Sequence, residues 1–217
     1  ARALLSDGFI VMAGPVPQSE VTELATAYDL AIGQADPEDI RKGSTTTRVS
    51  DFVNRSVKFD SLYTHSPLLD ACCRVIGQPF KLSTMHARTL RPRTPAPDRL
   101  HVDFPHDAQG WPMVGFIFMV DEFRPDNGAT CFLPGSQGAV EPPSTRPLPA
   151  CGPAGSMIIF NGSVWHDHGA NETDEPRRSI QGAYIRRTET SGANLPARMR
   201  SETMDRISPL AKYLLAL

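Results

Sequence analysis

From residue 80 onward the chain is cut into short apolar segments by proline- and glycine-rich turns, and this punctuation limits the fold more than any other feature. The β-like stretches fall at about 81–91, 99–104, 113–121, 129–133, 156–161 and 178–187. Strands this short, with no long helical run between them, predict a sandwich or barrel rather than βαβ units. Many of the 20 prolines stand where such a fold turns corners, as in 92–97 and 142–149.

The first 80 residues read differently. Phe9-Ile10-Val11-Met12 predicts one strand, closed by Gly14, Pro15 and Pro17. A helix is expected over about 19–33, with Ser19 as N-cap, Val21, Leu24, Ala25, Tyr28, Ala31 and Ile32 at helical spacing, and Gly33 as the stop. Asp29 falls on its solvated side. A second helix is expected over about 66–77, with Pro67 in the first turn and Gly77 at the end. Between them, about 36–64 is polar and aperiodic, which predicts a surface loop, either a lid or a connector. Ile207, Leu210, Leu214 and Leu217 predict a last helix over about 204–217. The expectation is a single domain spanning 1–217, mainly β with flanking helices, its antiparallel double-stranded barrel lying at about 81–187.

Composition narrows the partners. A hydrophobic fraction of 40% supports a real core. With 22 basic and 24 acidic residues the net charge is -2, so there is no broad basic surface for a phosphate backbone and nucleic acid is not an expected partner. A local basic pocket for a small anion remains compatible with that balance. Cys72, Cys73, Cys131 and Cys151 form no CxxC unit, which predicts reduced thiols and a cytoplasmic setting. No apolar run reaches the ~18–20 residues of a membrane span, and the first ten residues lack the pattern of a secretory signal. The missing initial Met points to trimming or to a short missing piece.

The chemistry sits in three clusters. On a strand, positions i and i+2 share a face, so His101 and Asp103 project together and offer a divalent metal one nitrogen and one oxygen. An HxD pair is common by chance; alone it reads as a surface His beside a turn carboxylate. A second cluster, Trp165-His166-Asp167-His168, closes an apolar strand well downstream. A second histidine there completes a 2-His-1-carboxylate facial triad, which leaves positions open and suits iron(II) with O2 and a cosubstrate as outside ligands. Zinc more often takes additional His or Cys. Third, Arg177-Arg178-Ser179 opens a β-like stretch, and a guanidinium inside a barrel can clamp a dicarboxylate bidentately. Alternation lets one arginine of the pair point inward, and His168, two residues beyond His166, competes with it as ligand. His86 and Arg88 alternate on the preceding strand, where they could face the barrel interior, and His106 and Trp111 stand in a loop that could border the pocket mouth. All four are weaker candidates, read as structural rather than substrate-contacting, and His65 reads as ordinary surface.

Taken in order, these residues resemble the phytanoyl-CoA dioxygenase family of iron(II)/2-oxoglutarate oxygenases. Ser6-Asp7-Gly8-Phe9-Ile10-Val11 is similar to its first strand, and Ser66 to Pro79 to its Pro-Leu-Leu…Gly-x-Pro helix. Asp126-Asn127-Gly128-Ala129 with Leu133-Pro134-Gly135-Ser136 resembles its NGA…PGSH hairpin, with Gln137 in the final position. Trp165-His166 through Asn171 to Arg177-Arg178-Ser179 resembles its WHxxxxN…RRS block.

The resemblance implies a double-stranded β-helix, a jelly-roll or cupin-like barrel. It implies His101, Asp103 and His166 as metal ligands and Arg177 as the residue holding the far carboxylate of 2-oxoglutarate. His168 is then expected to hydrogen-bond the cosubstrate, and Arg178 to be solvated or structural. It further implies oxidation of a small-molecule substrate, with release of succinate and CO2. Related halogenases carry a small residue in place of the carboxylate, so Asp103 argues for hydroxylation or another oxidation. Two other classes stay open: a non-catalytic 2-oxoglutarate sensor module, and a hydrolase using a different divalent metal.

Overall fold

The computed structural model describes residues 2–217. Among them the strands are β1 (Phe9–Ala13), β2 (Ile40–Lys42), β3 (Thr46–Val49), β4 (Phe80–Leu90), β5 (Met113–Met119), β6 (Thr130–Phe132), β7 (Leu148–Pro149), β8 (Ser156–Asn161), β9 (His166–His168) and β10 (Arg177–Arg186). The helices are α1 (Arg2–Ser6), α2 (Val21–Gly33), α3 (Phe52–Arg55), α4 (Asp60–Tyr63), α5 (Ser66–Val75), α6 (Leu195–Arg198), α7 (Ser201–Arg206) and α8 (Pro209–Leu214). No helix among the described residues is long and apolar enough to cross a membrane.

Seven strands form one antiparallel sheet in the order β1-β8-β5-β10-β4-β3-β2, and three form a smaller sheet, β7-β6-β9. Period-two alternation sorts the side chains of the large sheet into two cores. On β5, Val114, Phe116 and Phe118 join Leu24, Tyr28, Phe52 and Leu68 from the helices. Ile117 and Met119 of the same strand face the other way and pack with Phe132 of the small sheet, Ile158 and Phe160. One core therefore glues helices to the sheet, and the other lies between the two sheets. This is the double-stranded β-helix with flanking helices. Each fully buried Phe or Leu contributes about 1.5–3 kcal/mol.

Four expectations need correction. Residues 36–64 are not a loop. They hold the β2–β3 hairpin, with Ile40 opposite Val49, and β3 pairs onto β4 from Thr46↔Leu90 to Val49↔Ala87. Polar sequence concealed a hairpin at the sheet edge, where one strand needs little apolar surface. Ser19 is not the N-cap of α2: it lies inside a 3-10 turn over Gln18–Glu20, and Glu20 occupies the cap position with no side-chain bond. The C-terminal helix is two helices. Pro209 forces Ser208 into an extended conformation (ψ 162°), and the Ser208 hydroxyl accepts from the Ala211 N–H at 3.2 Å to restart the chain as α8. The fourth concerns 99–104, which is not a regular strand; His101 alone forms a bridge, to His166.

Candidate active site

His101 and His166 are held together through the backbone. The His101 N–H donates to the His166 carbonyl at 3.0 Å, and the His166 N–H donates back at 2.9 Å. The Asp103 N–H donates to the Gly162 carbonyl at 2.9 Å, so the turn between β8 and β9 pins the carboxylate's segment as well. The i, i+2 argument thus gave the right convergence for a segment whose regularity comes from its neighbours.

The family-like turn residues build this scaffold. The Ser136 hydroxyl donates to the Leu133 carbonyl and accepts from the Trp165 N–H at 3.0 Å, while the Trp165 indole donates to the Ala139 carbonyl. Gln137, where a His was expected, donates to the Leu5 carbonyl at 2.9 Å and ties the hairpin to α1. The Asn171 side-chain amide donates to the carbonyls of Arg91 and Glu175, bracing the loop that delivers β10.

One ligand atom each from His101, Asp103 and His166 lies within 4.8 Å of the others. His101 Nε2 stands 3.5 Å from Asp103 Oδ1, and His166 Nε2 stands 3.7 Å from Asp103 Oδ2. Two donors held by one ion at ~2.1 Å would be ~3 Å apart, so the set fits a transition metal after a small contraction. Both remaining ring nitrogens are engaged: His166 Nδ1 faces the Val164 carbonyl at 2.9 Å and His101 Nδ1 faces Asp167 Oδ2 at 3.1 Å. Those contacts keep a proton on Nδ1 in each ring, so that Nε2 is the nitrogen that would ligate once a metal takes the place of any proton there. His166 is buried, with its ring against Phe132 and Phe160.

The electrostatics follow from the same contacts. Hydrogen bonds to Asp103 and then Asp167 outweigh burial at His101 and raise its pKa to about 9. Burial opposes the Asp103 charge, but the hydrogen bond from His101 and the neighbouring imidazoles hold its carboxyl below the ordinary range. Burial pushes His166 and His168 down, toward the neutral form that a ligand must have.

His168 lines the same cavity, and its Nδ1 faces the Gly169 carbonyl at 2.8 Å much as His166 Nδ1 faces Val164; what separates the two is position, since His168 lies outside the three-residue cluster. Arg177 is fully buried, donates to the Gly128 carbonyl at 2.9 Å and Ser179 Oγ at 3.3 Å, and stacks 4.1 Å from the Phe123 ring centroid. It has no carboxylate partner, and burial together with the charge of Arg88 lowers its pKa to about 9. Arg178 points the other way and pairs with Asp121 and Asp29 at 2.7 and 2.6 Å; Asp29 is accordingly exposed but engaged.

A cavity of about 340 Å³ opens in front of the cluster, and His101, Asp103, His166 and His168 line it. So do His86 and Arg88, which sequence reasoning took as structural. Burial conceals their role in sequence: a β4 position facing a barrel interior looks like one facing a core. His106 and Trp111 do not line the cavity; Trp111 packs against the main core. His65 is half-buried rather than ordinary surface, and its Nε2 has no partner. Asp167 was missed altogether. The signal was there, a carboxylate between two histidines, but its contact crosses to His101 and is invisible to local spacing.

The model of the family described as phytanoyl-CoA dioxygenase matches residues 4–179. Dioxygenase sphC of Aspergillus fumigatus is 29% identical over 192 residues, covering 78% of this chain and 51% of that protein. The chain spans about half the length, or less, of the first curated relatives it matches. Among solved structures, the epimerase SnoN in complex with Fe3+, alpha ketoglutarate and nogalamycin RO superposes with a TM-score of 0.69 at 22% identity, over 86% of this chain and 82% of that one. The alpha ketoglutarate dependent carbocyclase SnoK from nogalamycin biosynthesis gives 0.70 at 16% identity, over 96% and 89%. These likenesses show the same fold.

Proposed function

This chain belongs to the phytanoyl-CoA dioxygenase family, and from that premise we propose that it is an iron(II)/2-oxoglutarate-dependent oxygenase, folded as one domain, that hydroxylates a small molecule. His101, Asp103 and His166 hold the metal, Arg177 holds the far carboxylate of 2-oxoglutarate, and His168 lies beside the cosubstrate. The observation that carries this reading is the convergence of two imidazole Nε2 atoms and one carboxylate at the wall of a cavity. That donor set is the one suited to iron(II) with open positions.

When bound, the metal and cosubstrate supply the oxidation: O2 is consumed, 2-oxoglutarate leaves as succinate and CO2, and a substrate C–H bond is oxidised. The chain's own residues do the rest. Asp103 stays ionised, as its neighbours require, and closes the position that a halide would need. Asp167 and the Val164 carbonyl orient the two imidazoles. Arg177 is buried behind the cavity wall, on the same face of β10 as Gln181, which lines the cavity, and that shared face supports its reading as the cation for the far carboxylate of an extended dicarboxylate. Its guanidinium Nε is buried without a partner, which favours an incoming oxyanion.

Anaerobic titration with iron(II) and 2-oxoglutarate tests the reading. A weak visible absorption band is expected on addition of both, and loss of it is expected in Asp103→Ala and His166→Ala. Substrate-dependent succinate formation separates an oxygenase from a sensor module. Full turnover in Asp103→Ala would sink the ligand assignment. Because SnoN is an epimerase and SnoK a carbocyclase, the product is to be identified by its mass: a gain of one oxygen supports hydroxylation.

A further inference from the structure

Arg41, Arg48 and Arg88 stand in one row across the sheet: Arg41 is directly opposite Arg48 on β2 and β3, and Arg48 is directly opposite Arg88 on β3 and β4. Directly paired residues of antiparallel strands share a face, and like charges placed so destabilise the sheet unless something neutralises them. Among the described residues no carboxylate forms an ion pair with any of the three, while Arg55 and Arg198 both pair with Asp39 of the adjoining groove. Arg88 Nε is buried and has no hydrogen-bond partner.

The row leads into the active site. Arg41 and Arg48 line an outer groove, and Arg48 and Arg88 line the cavity of the metal cluster. Thr84, His86 and Gly192 belong to both, so the two are continuous. Of the acids in the outer groove, Asp39 is bound by Arg55 and Arg198, and Asp51 by Arg200, which leaves Glu38. Inside, Asp103 and Asp167 balance one divalent metal. A 2-oxoglutarate dianion then balances Arg177 and one arginine more, and one cation remains. Phe104, Met113 and Ile185 line the cavity as well and pack together as an apolar patch.

We infer that Arg41, Arg48 and Arg88 form an oxyanion-binding track, with Arg88 as its inner contact, and that the substrate carries an oxyanion group such as a carboxylate on an otherwise apolar body. This rests on the metal and cosubstrate site proposed above. A guanidinium fork on a carboxylate gives two charge-assisted bonds, which is why arginine rather than lysine suits each position. Burial and the charge of Arg48 lower the Arg88 pKa to about 10, which still leaves it cationic at neutral pH and short of a counter-ion.

Two probes that differ only in charge test the track: phenylacetate and phenylacetamide, titrated calorimetrically into protein loaded anaerobically with iron(II) and 2-oxoglutarate. Phenylacetate is expected to bind about tenfold tighter or more. Arg88→Gln is expected to erase that preference while leaving 2-oxoglutarate affinity within about twofold. Arg48→Gln, at an exposed position that folding tolerates, is expected to reduce it severalfold and stands in should Arg88→Gln fail to fold. Equal binding of the two probes by the wild type would overturn the proposal. So would a tenfold loss of 2-oxoglutarate affinity in Arg88→Gln, since Arg88 would then serve the cosubstrate. If the wild type binds no 2-oxoglutarate, the proposed function fails instead, and the same probe pair in metal-free protein still decides the track.

Discussion

Asp167 Oδ2 lies 3.1 Å from His101 Nδ1, and the other oxygen of that carboxylate accepts the His168 N–H at 2.7 Å. His101 is half exposed, so this contact rather than packing holds its ring toward Asp103. An anchored carboxylate of this kind fixes the tautomer and raises the basicity of a ligating imidazole. Asp167→Asn should therefore weaken metal binding about 10–100-fold, read by competition with a chromophoric chelator. Its thermal unfolding without metal should fall only by the share of the His101 stabilisation that Asp167 supplies, with the fold intact. Unchanged metal affinity would show that Asp167 does not position the ligand.

Metal binding should release a proton near neutrality. In the metal-free protein the His101 pKa is raised to about 9 by Asp103 and Asp167, so at pH 7 the ring is charged and a metal must displace the Nε2 proton. Apparent metal affinity is then expected to rise about tenfold per pH unit up to about pH 9 and to level off above it. The raised pKa also means that the stabilisation His101 gives the metal-free fold is complete below its ordinary value of 6.5 and fades as pH rises through about 9. Calorimetry in two buffers of different ionisation enthalpy counts the proton. Affinity that is flat from pH 6 to 8 would refute the argument.

Arg177 and Arg178 should separate cleanly. Arg177 is buried without an acidic partner, whereas Arg178 is committed to Asp121 and Asp29. Removing a buried charged partner typically costs 2–5 kcal/mol of binding, so Arg177→Gln should raise the 2-oxoglutarate Kd about 30-fold or more with metal affinity unchanged. Arg178→Gln should leave that Kd alone and cost at most about 1 kcal/mol of stability, as partly exposed ion pairs do. The reverse pattern would move the cosubstrate to the other face of β10.

The chain wrote its site more plainly than its surroundings. His101, Asp103 and His166 could be named as candidates because the HxD pair, common by itself, stands in order with the Asn127-Gly128-Ala129 and Pro134-Gly135-Ser136 hairpin and the His166-to-Arg177 spacing. Strands β4, β5, β6, β8 and β10 were legible because short apolar runs there stand between proline- and glycine-rich turns, while β7 and β9, two and three residues long, gave no run to read. Arg48 hid because its strand is polar and lies within a stretch that looks like a loop. Asp167 went unread, and Arg88 stayed a weaker candidate, for a different reason: their meaning depends on pairs, Asp167 with His101 and Arg88 with Arg48, that are 66 and 40 positions apart and are made only by the fold.

Gly128 joins stability to cosubstrate binding. Its φ is +81°, and a Cβ there would sit 2.1 Å from Leu90 Cδ2. Its carbonyl accepts the Arg177 Nη2 bond at 2.9 Å, and Asn127 beside it closes the turn by accepting from the Arg124 N–H and donating to the Glu122 carbonyl. A left-handed non-glycine residue costs about 1–3 kcal/mol, and a protein of this size loses about 2–4 °C of Tm per kcal/mol. Gly128→Ala should therefore lower Tm by several degrees. Because relief of the clash shifts the carbonyl that holds Arg177, the 2-oxoglutarate Kd should rise as well, with metal affinity unchanged. Gly138→Ala is the control, since a Cβ there meets nothing within 4 Å and should change neither quantity. A Gly128→Ala protein that loses stability but keeps wild-type 2-oxoglutarate affinity would show that the turn supports the fold without positioning Arg177.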